Sequence, residues 1–363
     1  MKNNNIKKIL SEDPFYDIWQ MILHYAYPNN IKKYYISKKR TYNEEILDII
    51  VSSILQAEEF FKISQSVSLN ISPIVLYYGA ANLLTGLLTL LNGEELPITT
   101  HGMKLKVPKE SNKGLGAIDI TIINSKNGAL HKFYDLVQPG EISLEGLSFS
   151  FAEILGSVPD LKNDFENCYE DLKPHCIPVE KLKVDDSLIE RISTDELKRF
   201  RNNETEIFSL IKDFDSNYLV PQRPNNNFYI LRRKIKSSEI GFYNGYGQKF
   251  FQLGLKKNNK IIQLPQLIIL LIGLYVLASL ARYYPKIWHP FIKNDSTGER
   301  QIIDKFLNIS RRYIPNLLLN KLHNKILIFI KTLEEETTIK KSTEKEELKS
   351  LIVNEIRNIL KNR

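Results

Sequence analysis

Cysteine, tryptophan and methionine are scarce in this chain: two, two and three among 363 residues. Cys168 and Cys176 are too few for a disulfide scaffold, and no partners complete a zinc-type cluster around them. His-Glu-x-x-His and Gly-x-Ser-x-Gly are missing. The glycine pairs in Lys113-Gly-Leu-Gly116 and Asn244-Gly-Tyr-Gly247 lead to no Gly-Lys-Ser/Thr, and the first precedes a strand pattern instead of following one. Both read as turns, and no cofactor and no metal site is implied. The segment Met1–Leu10 has no apolar core of the kind a signal peptide carries, so the expected location is cytoplasmic.

Charge is also missing, but only locally. Ile63–Gly93 has none, and Asn258–Ala281 has only Lys260, in a chain that is otherwise 25% charged. Each stretch holds a dense apolar run, Pro73–Leu91 and Leu264–Ala281. Each run approaches the roughly 20 residues a membrane span needs. Polar residues interrupt the first run, and Gln263, Pro265 and Gln266 shorten the second to a core of about 15 residues. Both are therefore expected to be buried in protein, one against the other, with no membrane partner.

The composition supports a large core, with 43% hydrophobic residues. The formal charge of +8 points to nucleic acid or an acidic partner. The competing explanation is compositional, since a chain rich in Lys, Asn and Ile reflects AT-rich coding DNA.

Periodicity predicts helices in the N-terminal third. One covers Phe15–Tyr25. A basic aromatic connector, Asn29–Arg40, follows. A capping box at Thr41-Tyr-Asn-Glu44 opens a second helix to about Phe61, with Ile46, Ile49, Ile50, Ile54 and Leu55 in one stripe. Pro73 suits the first turn of a third helix, which stops at Asn92-Gly93. The middle turns to strand patterns: a hairpin from Ala117–Ile123 into Ala129–Tyr134, loops and short elements over 140–178, a short helix at Thr194–Arg201, then strands at Phe228–Ile235, Gly241–Tyr243, Lys249–Leu255 and Lys260–Leu264.

Helices return at Gln266–Tyr284, at Arg300–Tyr313 behind a box at Ser296-Thr-Gly-Glu299, and at Pro315–Leu333. A polar linker at Glu334–Lys345 and a terminal amphipathic helix behind Thr343-Glu-Lys-Glu346 end the chain. The fold class expected is α+β, predominantly α-helical, with N- and C-terminal helices sharing a core with a smaller β-rich middle region. The regions are 1–110, 111–264, 265–333 and 334–363.

Ser72-Pro-Ile-Val-Leu-Tyr-Tyr-Gly79, Thr100-His-Gly102, Val158-Pro-Asp-Leu161, Leu280-Ala-Arg-Tyr-Tyr-Pro-Lys-Ile-Trp288 and Phe306 through Ile314-Pro315-Asn316 occur in that order. Together they resemble the YaaC-like proteins, a bacterial family, over about residues 10–330. The resemblance implies an intracellular, mostly helical protein. It implies no established activity and transfers no catalytic residues.

Four groups of residues are candidates for function. Arg282 and His289 have the spacing of the Arg/His pair in helical HEPN-type ribonucleases, where Arg stabilises phosphate charge and His moves a proton. Pro285 lies between them, so the plainer reading has Arg282 capping a helix end. His101, in a loop after the first apolar helix, is a third catalytic candidate. Its alternative is local packing. Asp160 with Asp171 and Lys173 fits a loose nuclease pattern, although Asp160 after Pro159 more simply starts a turn.

Basic patches form the last group: Lys38, Lys39 and Arg40, where charge alternates with aromatics; Arg232 and Arg233; and Arg311 and Arg312. Brought together they would form a nucleic-acid surface. Scattered, they are solvated faces. The leading expectation is a basic protein binding nucleic acid or an acidic partner in a bacterial stress or defence pathway. The alternatives are a metal-independent ribonuclease using Arg282 and His289, and a non-catalytic structural subunit docking a protein partner. Whether the chain is an enzyme, and its oligomeric state, stay open at this level.

Overall fold

A computed structural model describes residues 6–95, 98–108, 114–123, 127–138, 143–184, 187–199, 218–219, 227–233, 242–257 and 260–331. They belong to two compact units. The first draws on 1–176, 242–247 and 252–331, the second on 177–241 and 248–251.

The first unit opens with strand β1 (Ile6–Leu10) and helix α1 (Pro14–Leu23). Asp13 accepts from the backbone N–H of Phe15 and Tyr16, satisfying two donors that a helix start leaves free. Ile18, Trp19 and Ile22 form the buried face. The connector expected at Asn29–Arg40 is instead helix α2 (Pro28–Ser37), started by Pro28 and turning Ile31 and Tyr35 inward.

Helix α3 (Glu44–Ser66) is capped by Asn43, whose Oδ1 accepts from Ile46 N–H at 2.8 Å, and not by Thr41. Its buried stripe is Leu47, Ile50, Ile54, Ala57 and Phe61, which leaves Leu55 exposed. Helix α4 (Ser72–Asn92) has Pro73 in its first turn and ends at Gly93, whose φ of 81° is the left-handed conformation expected of a helix stop. Gly79 and Gly86 lie against α3. A Cβ there would come within 2.9 Å of Phe60 and 3.0 Å of Ser53, so the helix pair packs at glycine distance.

Beyond α4, β2 (Met103–Lys106), β3 (Asp119–Ile122) and, after α5 (Ala129–Val137), β4 (Ser148–Ser150) make an antiparallel three-stranded sheet. The expected 117–134 hairpin does not form. β3 pairs with β2 and β4, and the second half is α5, because Leu130, Phe133 and Tyr134 bury one helical face. A capping box the sequence reading passed over starts α6 (Phe151–Gly156): Ser150 and Glu153 cap each other. Helix α7 (Lys162–Cys168) follows.

The second unit is a sheet in which β7 (Tyr218–Leu219), β8 (Phe228–Arg233), β6 (Ser187–Ser193), β5 (Cys176–Val184) and β10 (Lys249–Gln252) are hydrogen-bonded in that order. β5 and β6 form a hairpin through Val184 and Ser187, and α8 (Thr194–Arg199) leaves the end of β6. Lys249 Nζ is fully buried and pairs with Glu190 at 2.9 Å. Strand β9 (Phe242–Tyr243) belongs to the first unit.

The chain re-enters the first unit through the β11 (Leu255–Lys257) and β12 (Lys260–Ile262) hairpin. Then come α9 (Gln266–Tyr283), α10 (Pro285–Asn294), α11 (Glu299–His323) and β13 (Ile326–Ile330). Pro315 lies inside α11 and does not start a new helix. It removes one backbone hydrogen bond, but Ile314, Leu318 and Leu319 anchor both sides of it in the core. The segment expected to finish that helix is β13, an Ile/Phe-rich strand paired in parallel with β1. The Ser296–Glu299 box is not made either. Gly298 precedes the helix without a side-chain cap, and Glu299 turns elsewhere.

The two apolar runs are α4 and α9, and both are long and apolar enough to cross a membrane. They share one core, with α9 83% buried over its apolar window. α4 packs most extensively on α3 and next on α9. α1 packs on α11, so the helices near both ends of the chain meet. The linker at 334–345 and the terminal amphipathic helix lie outside the described residues.

Candidate functional site

Arg282 occupies the last turn of α9, next to the break that Pro285 imposes. Its side chain does not cap its own helix. It crosses to α4 and donates to the Tyr78 hydroxyl at 2.6 Å, with its guanidinium 4.9 Å from the ring centre of Tyr283. Both Arg282 and Tyr283 are exposed. Among the described residues, no carboxylate pairs with Arg282.

His101 stands beside this pair. Its loop is tied to the start of α5 by Ala129 N–H to Thr100 O (2.8 Å) and Leu130 N–H to His101 O (3.3 Å). The next residue, Gly102, has φ of 76°, and a Cβ there would lie 3.1 Å from His131 Nδ1. Glycine is therefore required twice over, by conformation and by space. The His101 ring sits 5.3 Å from Tyr77, 5.5 Å from Tyr275 and 6.4 Å from Tyr78, centre to centre. Tyr77 hydroxyl and His101 Nδ1 are 2.8 Å apart, and Tyr275 hydroxyl donates to Met103 O at 2.7 Å.

The site is graded from inside to outside. Tyr77 is buried, His101, Tyr78 and Tyr275 are half-buried, and Arg282 and Tyr283 face solvent. Burial, and then the nearby Arg282 charge, hold the His101 imidazole below its ordinary titration range, so it is neutral at pH 7. Burial raises the phenols of Tyr77 and Tyr275, so both stay protonated. The arrangement offers one fixed cation, neutral hydrogen-bond groups and several aromatic faces. It suits a ligand carrying both negative charge and flat rings. Among the described residues, no group of three His, Cys, Asp or Glu side chains is placed to hold a metal ion.

Of the residues expected from sequence, His101 and Arg282 come together. His289 lies on the exposed side of α10, and no hydrogen bond or ring contact joins it to Arg282. Trp288 is buried and stacks with Phe291.

Among the described side chains, the basic residues do not form one surface. Arg311 donates to Ser64 O, Ser64 Oγ, Ser72 Oγ and Asn308 Oδ1, holding the start of α4 against the end of α3. Arg312 donates to Gly245 O and Phe329 O. Their charge is engaged inside the first unit instead of being presented to phosphates. Arg40 donates to Leu91 O at the other end of α4, and Lys38 lies over Tyr34. A helix rises about 1.5 Å per residue, so the Ser72 and Leu91 ends are roughly 28 Å apart along it. Lys39 is exposed with φ of 55°. The side chains of Arg232 and Arg233 lie outside the described residues.

The other carboxylate pattern is also built into the fold. Asp160 Oδ1 accepts from Gly245 N–H at 2.8 Å, while Asp171 is exposed beyond α7.

The sequence reading missed Tyr77, Tyr78, Tyr275 and Tyr283. The available signal was the doubled tyrosine in 77–79 and again in 283–285. Those are two of the stretches that carry the family resemblance.

A family model described as YaaC-like Protein matches residues 20–322, a span that contains every element of this site. No curated protein and no solved structure matches the chain.

Proposed function

The chain belongs to the YaaC-like protein family, and we propose that it works by binding single-stranded nucleic acid on the face formed by Tyr78, His101, Tyr275, Arg282 and Tyr283. The observation that carries this reading is the state of Arg282: exposed, without a carboxylate partner among the described residues, and braced by Tyr78 and Tyr283. A guanidinium so placed supplies a phosphate contact, and exposed Tyr283 supplies a ring on which a base stacks. The net charge of +8 favours approach of a polyanion. Single strands fit better than duplex, because stacking needs bases free of their own pairing.

The test is fluorescence anisotropy with a labelled single-stranded oligonucleotide across a salt series. Arg282→Ala should weaken binding about ten-fold and flatten the salt slope by about one unit. Tyr283→Ala should weaken binding by removing about 1–3 kcal/mol of stacking. Lack of binding at low salt, or equal affinity of Arg282→Ala, would reject the reading. No observation favours the ribonuclease alternative, since His289 does not join Arg282.

A further inference from the structure

We infer that buried Tyr77 sets the tautomer of His101, so that His101 presents its Nε2–H as a second phosphate-binding donor beside Arg282. The inference rests on the proposed function for the identity of the ligand, but not for the tautomer itself. Tyr77 is only 5% exposed, and His101 Nδ1, at 2.8 Å, is the sole hydrogen-bond partner of its hydroxyl among the described residues. A buried hydroxyl that fails to donate is left with its desolvation cost uncompensated. If His101 Nδ1 carried the proton, it would donate to Tyr77 and leave the phenolic proton without an acceptor. The opposite assignment leaves neither atom of the buried Tyr77–Nδ1 contact unpaired. Tyr77 donates, Nδ1 accepts, and the one proton of a neutral imidazole must sit on Nε2.

Nε2 is where a ligand could use it. It has no partner among the described protein groups, and the protein does not fully enclose it. Tyr78 links the two donors: its hydroxyl receives Arg282, and its ring lies against the His101 ring. Because Arg282 donates to the Tyr78 oxygen, the Tyr78 proton is directed away from Arg282 and is a third donor. Tyr77 touches no ligand in this scheme. It is a positioning residue, and His101 is the binding residue.

The experiment is a long-range proton–nitrogen NMR spectrum of the full chain with nitrogen-labelled histidine, at a pH where His101 is neutral. It is followed by titration with inorganic phosphate and then with a single-stranded oligonucleotide. The ligand-free protein should show Nε2 protonated and Nδ1 bare, and the Nε2–H signal should move with phosphate. Tyr77→Phe should turn the ring signals into a mixture of tautomers and lower phosphate affinity about two- to ten-fold, the equivalent of one hydrogen bond.

Should that variant fail to fold, His101→Gln and His101→Ala replace it. Gln keeps a neutral N–H donor on its side-chain amide, so His101→Gln should bind phosphate more tightly than His101→Ala. A proton on Nδ1 in the wild-type protein, ring signals unmoved by phosphate, or equal affinities for His101→Gln and His101→Ala would each overturn the inference. If phosphate shifts His101 while the oligonucleotide does not bind, the inference stands and the nucleic-acid reading falls. If the oligonucleotide binds without moving His101, the inference falls alone.

Discussion

Phe306 of α11 rests its ring on the backbone of Gly273 in α9, in the space a side chain at that position would fill. Gly273 is thus a helix-interior glycine kept for packing, at a cost of about 1 kcal/mol in helix propensity. The close approach lets α11 lie on the most apolar helix of the core.

Gly273→Ala should therefore destabilise the protein. The gain in helix propensity is smaller than the overpacking cost of about 1–3 kcal/mol, because the obstacle is a buried aromatic ring. Thermal unfolding should show a lower Tm. Pairing it with Phe306→Leu should recover part of the loss. An unchanged Tm for Gly273→Ala would contradict the packing described.

Arg311 and Arg282 should separate stability from binding. Arg311 donates to Ser64, Ser72 and Asn308, so Arg311→Ala removes four hydrogen bonds, three of them to the buried Ser64 and Ser72, and should cost about 2–3 kcal/mol. Arg282→Ala removes an exposed side chain and should change stability by less than about 1 kcal/mol. Denaturant unfolding combined with oligonucleotide binding checks the pair. A stable Arg311→Ala that has lost binding would return Arg311 to the ligand surface.

Glu299 is 3% exposed and accepts from Leu115 N–H, Gly116 N–H and the Tyr169 hydroxyl at 2.6–2.9 Å. Glu299→Ala leaves two backbone donors and a phenol without this acceptor, and should cost about 3 kcal/mol or more. Glu299→Gln keeps one carbonyl oxygen and should cost less. Hydrogen exchange at Leu115 and Gly116 should quicken in both variants, most in the alanine form. Unchanged protection would mean that the carboxylate is not what holds this loop.

Acid should weaken the first unit. Burial lowers the His175 imidazole to about 4, with Glu153 opposing and Lys257 adding to the shift. The unfolded chain takes up this proton near pH 6.5, while the folded chain resists until about pH 4. His175 thus contributes full stability above about 6.5, and that stability falls across the window down to about 4. The loss is at most about 1.4 kcal/mol per pH unit. His101 and His323 are lowered as well, and act in the same direction. Urea midpoints measured from pH 7.5 to 4.5 should decline, and His175→Gln should flatten the curve. A decline equally steep in that variant would assign the effect to other groups.

Local sequence determines structure where neighbours along the chain decide the outcome. Pro73 and Gly93 bound α4, the apolar density of α4 and α9 marks them as core helices, and the alternation of Asp119–Ile122 marks a strand. Other local patterns had more than one solution. Thr41 and Asn43 both qualify as caps, and Asn43 was used. Ser296–Glu299 has the letters of a capping box, but two buried N–H groups near Gly116 make a stronger claim on Glu299. Ala129–Tyr134 suits a strand by its aromatic pair and a helix by its spacing, and burial of Leu130, Phe133 and Tyr134 chose the helix.

The sequence by itself determined the α+β class, the two apolar helices at the centre and the family. Each rests on periodicity or on order along the chain. The tertiary structure alone decided which charges are free. Arg282 and Tyr78 are 204 residues apart and meet because α9 packs on α4, while Arg311, which looks just as basic in sequence, is drawn inward by Ser64 and Ser72. A side chain's availability depends on partners brought from far along the chain, and no local spacing encodes those.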